Sequence, residues 1–497
     1  MDRISTSIAS YPKTYARSKS RSLTGILFSQ TTKLLFIFLC LETDFSIAYR
    51  GVFLITHSLL LAWTAAVMIF IFAAICYQFR DILLKAMESI FPEKWVQSRG
   101  WLWLFVAIGL LFRIAWVLGF PATLKSDGAA YYSVAASMAK GVYSGAFWPP
   151  GFPMVLTPFM MVFGIHPWVT ILVSLLLFMA TCTASWLLAR ELAGRTAAGI
   201  TALVLAIWPG YITICGINSK EGLIAFLLPW AMLLYLWSFR SSRMCWPLLA
   251  GAGIFVGFAT LTQPSCMLFP FVILIIELIR RTSLLAGLGR TMAFGLAMLI
   301  VILPWTYRNE HVVGRFILIT ANGGSVFYRA NNPLANASYS PEGEIHLPDN
   351  VYEADRVGYA EGKKWIAHHP AAFAALVVRK QIVYLGDDGI GIYETLKRGL
   401  RPSEGLYAGA KALCSAYWLA LWLILLMASG KLFAKNPWWI WYGLCFLPVV
   451  FQWAIDSVFE SGSRHHISDV AFFAVLVGIA LSSETITGLP KSGKLVI

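Results

Sequence analysis

The sequence predicts an all-α polytopic membrane protein with about 11 transmembrane helices, an extracytoplasmic helix in the first loop and a longer extracytoplasmic loop region. Three observations predict it. Of 497 residues, 58% are hydrophobic and only 13% charged, whereas soluble domains sit near half and a quarter. Apolar runs of about twenty residues, enough to cross roughly 30 Å of hydrocarbon, recur near 53–77, 101–120, 167–189, 196–214, 222–239, 246–262, 265–279, 291–306, 409–429, 437–455 and 467–484. The short connections RELAGR (190–195), RSSRM (240–244), RRTSLLAGLGR (280–290), GKLFAK (430–435) and the tail KSGK are all basic, and alternation puts every one on the same side. By the positive-inside rule that side is cytoplasmic.

Residues 1–98 read as a basic N-terminal segment plus one extra membrane helix, 99–306 as the membrane core with a polar first loop, 307–408 as an extracytoplasmic loop region and 409–497 as C-terminal membrane helices. The first fifty residues hold one apolar run, KLLFIFLCL, which is too short to span and is followed by no small-residue cleavage site, so no signal peptide is expected. Their side of the membrane stays open, because a basic N terminus conflicts with an out-to-in span at 53–77.

The net charge of +14 follows from basic cytoplasmic loops beside anionic headgroups, so membrane lipid is the expected partner and nucleic acid is not. The eight cysteines lie in or beside apolar runs without CxxC spacing and indicate neither a disulfide framework nor a zinc site. A single bridge between Cys215 and Cys266 stays open.

The unusual polar residues fall on the far side: the segment after 120, the turn CGINSKE, the stretch 307–408 and DSVFESGSRHH. The first of these, KSDGAAYYSVAASMAKG (125–141), is a helical pattern closed by Gly141 and followed by FWPPGFP. Asp127 and Tyr131 are four residues apart, hence on one helical face. Ser126 or Asp127 as a plain helix cap is the competing reading. The stretch 307–408 has turn-rich pieces, NGG and NNPLANASYSPEG, and a helical pattern at EADRVGYAEGKKWIAHH, which suits a small membrane-apposed subdomain.

These residues resemble a family. The spacing of Asp127 and Tyr131, then PPGFP and LTPFMMVFG, looks like the first loop of the C-type membrane glycosyltransferases of the protein O-mannosyltransferase and aminoarabinose-transferase superfamily. LPWTYRNEHVVGRFILITANGGSVFYRANNP (303–333) and SRHHISDVAFFAVLVGIAL (463–481) are similar to two further blocks of that family, in the same order. There are departures. Where the family has an acidic pair this chain has SDG, Ala330 stands in place of a glycine, and no Glu-Lys pair follows the first loop. The aminoarabinose branch therefore does not supply the substrate.

The resemblance implies transfer of a sugar from a polyprenyl-phosphate-linked donor to a glycan, lipid or protein hydroxyl at the extracytoplasmic face of the cell membrane, with inversion. Asp127 is then the expected base. Arg308 and Arg464, with Lys220, are expected to meet the phosphate, and Tyr131 and His465 to bind substrate. Arg113, inside a predicted span and on the helix leading to Asp127, joins the substrate-binding set. The plain alternatives are snorkelling and headgroup contact for the cations. A divalent cation is not required by these residues and stays open; His465 and His466 have no second cluster at ligand spacing. Glu277 is expected to pair with Arg281 at i+4. The rival functions are a transporter or flippase of a lipid-linked or anionic solute, against which stands the lack of an internal repeat, and a non-catalytic scaffold, which leaves the Asp127 loop unexplained.

Overall fold

A computed structural model describes residues 23–90, 99–121, 124–241, 243–280, 283–339, 347–400, 403–435 and 437–483. Among them there are helices and connections but no strand. Eight helices are long and apolar enough to cross a membrane, and the shorter apolar helices 264–279 and 465–481 cover two more of the predicted segments.

The N-terminal part corrects the sequence reading. KLLFIFLCL (33–41) does not stand alone; it lies within the 34-residue helix α1 (Leu23–Thr56), because the polar ETD after it lowers hydropathy without breaking helical geometry. Phe36 packs on Phe433, Trp441 and Phe446, while Gly51 lies beside Ser415. Helix α1 thus runs the length of the bundle, antiparallel to α2 (Leu59–Gln78). Helix α3 (Arg80–Ile90) follows, and its Glu88 pairs with Lys431 of the basic loop GKLFAK. So α2 ends, and α1 begins, at the basic face.

Helix α4 (Arg99–Gly119) leads to α5 (Ser126–Ala139) and α6 (Gly151–Phe163). The predicted segments 167–189 and 196–214 form two limbs of α7 (Pro167–Ile207), joined at Ala193 and Gly194. Gly194 has φ 80° and ψ −169° there, a region open to glycine and costly for other residues. Helices α8 (Glu221–Arg240), α9 (Cys245–Thr262), α10 (Phe269–Ile279) and α11 (Leu284–Val313) complete the first half.

The loop region holds α12 (Gly323–Ala330), α13 (Val351–His368) and α14 (Pro370–Leu385). Asn350 caps α13 through the amides of Tyr352 and Glu353, and the Asp355 carboxylate receives the Gly324 amide at 2.7 Å. A Cβ at Gly324 would stand 1.7 Å from the Asp355 carbonyl oxygen, so only glycine lets α12 and α13 touch. Then come α15 (Glu404–Ala434), α16 (Trp438–Val458) and α17 (Val470–Leu481). Every residue of α17 is buried. It lies along α7, where Gly478 meets the Ala197 carbonyl and Thr201 donates to the Ala474 carbonyl at 3.2 Å. Close approach through small residues is how helices associate in lipid, where apolar transfer drives little.

The basic connections gather at one end. Arg240 pairs with Glu191, and Arg280 and Arg290 pair with the buried Glu277, which also accepts from the Tyr235 hydroxyl at 2.7 Å. Glu277 therefore takes Arg280 at i+3 and Arg290 from α11; the expected partner Arg281 lies outside the described residues, as does Ser242. All eight cysteines are free thiols, so no bridge joins Cys215 and Cys266.

Candidate functional site

At the end opposite the basic loops, the start of α5 faces the turn before α8 and the residues leading into α17. Residue Ser126 has φ 51° and Asn218 has φ 52°, a left-handed conformation uncommon for either residue and often found where local strain serves a site. The two are bound together. Asn218 donates from Nδ2 to the Gly128 carbonyl at 2.6 Å, and a Cβ on Gly128 would stand 2.5 Å from the Ile217 carbonyl oxygen. Position 128 is thus closed to a second acid beside Asp127, since a backbone lies where its side chain would begin.

That acid arrives from elsewhere. Glu221, the first residue of α8, is buried and approaches Arg464 Nε through Oε1 at 3.3 Å, while Ser219 donates to its Oε2. Arg464 also donates from Nη2 to Asp127 Oδ2. Together Lys125, Ser126, Asp127, Gly128, Tyr131, Ile217, Asn218, Ser219, Glu221, Glu394 and Arg464 line one cleft. Asp127 is 29% and Arg464 28% exposed in their side chains. The two carboxylates take the Nε and Nη2 edge of a guanidinium with five donors, which leaves Nη1 facing a newcomer. A phosphate oxygen suits that place.

The cap reading of α5 is overturned. Its N-cap is Lys125, with no side-chain cap bond, and the Asp127 carboxylate points to Arg464. Burial pushes the Asp127 carboxyl up, but the charge and hydrogen bond of Arg464, backed by Lys220 and His465, hold it below the ordinary range. Burial lowers the Arg464 guanidinium, and Glu221 and Asp127 more than reverse this. Tyr131 is buried one turn along α5, its ring edge-on to Trp148 and Phe152, and burial lifts its phenol well above the ordinary range. It is a neutral donor at the cleft floor.

Of the other predicted residues, Lys220 sits beside Glu221 and acts on both carboxylates through its charge. His465 accepts or donates at Nδ1 to Asp456 Oδ1 at 2.5 Å, and His466 is turned the other way, onto Asp388 at 2.9 Å. Lys220 and His465 adjoin the cleft without lining it, and Arg308 and Arg113 make their contacts elsewhere. Arg308 donates to the carbonyls of Gly145 and Tyr143, each at 2.6 Å, and holds the loop after α5. Arg113 is buried with its guanidinium 3.5 Å over the Phe178 ring and donates to the Gly109 and Tyr211 carbonyls. It ties α4 to α7 because rings and carbonyls repay the burial of its charge. For a metal the donor set is a poor fit: the three cleft carboxylates, Asp127, Glu221 and Glu394, each face a guanidinium, and the described residues hold no group of three His, Cys, Asp or Glu side chains. No step below runs through a metal.

Glu221 and Asn218 were missed by sequence reasoning, which took CGINSKE as a turn and weighed only its lysine. The available signal was an acid directly beside that lysine on the same face as Asp127.

Comparison with known proteins agrees with the resemblance. Residues 148–307 match the family model described as dolichyl-phosphate-mannose-protein mannosyltransferase. The chain is 30% identical over 122 residues to the putative mannosyltransferase YkcB of Bacillus subtilis (strain 168), covering 24% of this chain and 17% of that one. It is 27% identical over 179 residues to the putative mannosyltransferase YycA of the same organism, covering 33% and 26%. The chain therefore spans about a quarter or less of the length of these relatives. Among solved structures, the Archaeoglobus fulgidus oligosaccharyltransferase in complex with Zn and sulfate aligns with a TM-score of 0.46, 14% identity and coverage of 76% of this chain and 48% of that one. ArnT from Cupriavidus metallidurans bound to undecaprenyl phosphate aligns with 0.42, 16%, 77% and 78%. The chain is similar to C-type membrane glycosyltransferases in sequence.

Proposed function

We propose that the protein is a glycosyltransferase of the cell membrane that moves a sugar from a polyprenyl-phosphate-linked donor to an acceptor hydroxyl on the extracytoplasmic face, with inversion. The observation that carries this is a carboxylate and a guanidinium paired across a cleft, at the bundle end away from the basic loops. The family match over 148–307 and the two putative mannosyltransferases support the reaction class.

The donor phosphate draws on the free Nη1 edge of Arg464, with Lys220 and His465 adding positive potential. As Arg464 turns toward the phosphate its hold on Asp127 weakens, and the carboxylate regains basicity at the moment an acceptor hydroxyl enters. The acceptor oxygen then attacks the anomeric carbon from the side opposite the phosphate. The bond from that carbon to the phosphate oxygen breaks, its electron pair leaves with the lipid phosphate against Arg464, and the hydroxyl proton passes to Asp127. Glu221 keeps the guanidinium aligned while Asp127 lets go. Tyr131 lies against the sugar, and Arg308 and Arg113 act at a distance, by fixing the loop after α5 and the foot of α4.

Purified protein given a polyprenyl-phosphate hexose and an envelope-glycan extract should release polyprenyl phosphate and label the extract. Asp127→Asn should still fold, giving up on the order of 1 kcal/mol or less with the ion pair to Arg464, and lose roughly 10²- to 10⁴-fold in transfer. Movement of intact donor across a vesicle membrane, with no lipid phosphate released, would instead establish the transporter.

A further inference from the structure

The reaction above leaves the adjoining pair His465 and Asp456 with no assigned purpose beyond general positive potential. The pair is built with care. Asp456, on α16, is 2% exposed, its Oδ1 lies 2.5 Å from His465 Nδ1, and its Oδ2 has no hydrogen-bond partner. The His465 ring rests over Gly462, where any side chain would stand 3.2 Å from Nε2. The glycine keeps that nitrogen uncovered.

Four charged groups bear on it. Asp127 on α5, Glu221 on α8, Asp456 on α16 and the neighbouring Arg464 all act on His465 or are acted on by it. Lys380, on α14, lies behind Asp456, but its ammonium is spent on the Asn331 side chain and the Val458 carbonyl, each at 3.0 Å, and burial draws it down to about 7. Near the cleft, then, the carboxylates of Asp127, Glu221, Glu394 and Asp456 are matched by the fixed cations Arg464, Lys220, Lys125 and Arg398. A monoanionic phosphodiester meets no surplus positive charge there unless His465 is protonated.

Resting on the proposed reaction, we infer that the Asp456–His465 pair is the proton-dependent half of the donor-phosphate site: Asp456 orients the ring through Nδ1, and the imidazolium offers Nε2–H beside Arg464. Asp456 is a positioning residue and His465 the group that meets the lipid phosphate. Burial alone lowers the imidazole, but the Asp456 charge and hydrogen bond lift it above the ordinary range. The sign follows. A raised imidazole is charged below its folded pKa, so donor affinity is full at lower pH and falls as pH rises through that value. The donor's phosphodiester has no titration in this window to confuse the reading.

The test measures binding of polyprenyl-phosphate mannose to the detergent-solubilised full chain from pH 5.5 to 9, with Arg464→Ala, His465→Gln and Asp456→Asn beside the parent and thermal unfolding as the fold control. The parent should lose about tenfold in affinity across its alkaline limb, one pKa unit of linkage. His465→Gln should be flat at the weak, high-pH value, and Asp456→Asn should move the limb to lower pH. A limb that survives His465→Gln belongs to another group, Lys380 included, and overturns the inference, as does a flat parent profile. A parent that binds the lipid and loses it in Arg464→Ala, with no histidine limb, sinks this inference and leaves the transferase standing. A parent that does not bind the lipid at any pH sinks both.

Discussion

A single glycine illustrates how the cleft is specified at the level of the residue. Gly128 directly follows Asp127, and the Ile217 carbonyl occupies the space a side chain would need. Alanine there must push the 217–219 turn away from α5 or leave Asn218 without its bond to the Gly128 carbonyl. Overpacking of this kind typically costs about 1–3 kcal/mol, and Gly128→Ala should show that loss in thermal unfolding together with weaker transfer, whereas an unchanged melting temperature would mean the turn is free to move. The neighbouring carboxylate gives a pH signature. Asp127 lies below its ordinary range in the folded protein, so the pair with Arg464 contributes stability above the unfolded carboxylate value and loses it as pH falls through the folded one. The parent should therefore lose more stability than Asp127→Asn on acidification below about pH 4, the unperturbed aspartate value. Parallel curves for the two would show that the ion pair contributes nothing.

At the level of the element, most of the bundle was legible and its joints were not. The eleven apolar segments fall on helices because hydropathy and length decide what can cross a bilayer. The exception is α1, whose Asp44 is buried although it depresses the apolar signal, so a hydropathy reading stops at Leu41 while the helix continues to Thr56. Glu221 was hidden for a different reason: its neighbour across the cleft, Arg464, is more than two hundred residues away in the chain, and no local pattern links them. Arg113, a charge inside a predicted span, is held by rings and carbonyls that no local pattern in the sequence joins to it. The joint inside α7 offers a test of the element scale. Gly194 holds a conformation that other residues enter at a cost of roughly 1–3 kcal/mol, and Gly194→Ala should lower the unfolding temperature without changing donor affinity at the distant cleft. A donor affinity lost with the fold intact would show that the two limbs of α7 position the site.

For the whole molecule the claim at stake is which end faces which compartment. The structure gathers Glu191, Arg240, Glu277, Arg280 and Arg290 at one end and Asp127, Glu221 and Arg464 at the other. Seven of the eight native cysteines are buried, so single added thiols report with little background. Ser144→Cys, after α5, should react with an impermeant reagent on intact cells, and Arg195→Cys, at the joint of α7, should react only after the membrane is opened. Labelling of position 195 from outside would reverse the assignment of sides and the proposed compartment of the reaction with it.

The two walls of the cleft differ in how they are anchored. Arg464 leads into α17, whose every residue is buried, so one wall is continuous with the most enclosed helix of the bundle. The other wall, α5, buries only Gly128, Tyr131, Val134 and Ala135, and its polar ties are Asn218 to the Gly128 carbonyl, Lys125 to the Arg398 carbonyl, and Arg308 to the loop at Tyr143 and Gly145. A jaw hinged on one side only has a fixed reference and a moving part. Substrates of different girth could then be admitted by tilting α5 while the phosphate anchor keeps its coordinates, and hydrogen exchange on donor binding should slow along 125–139 far more than along 470–481.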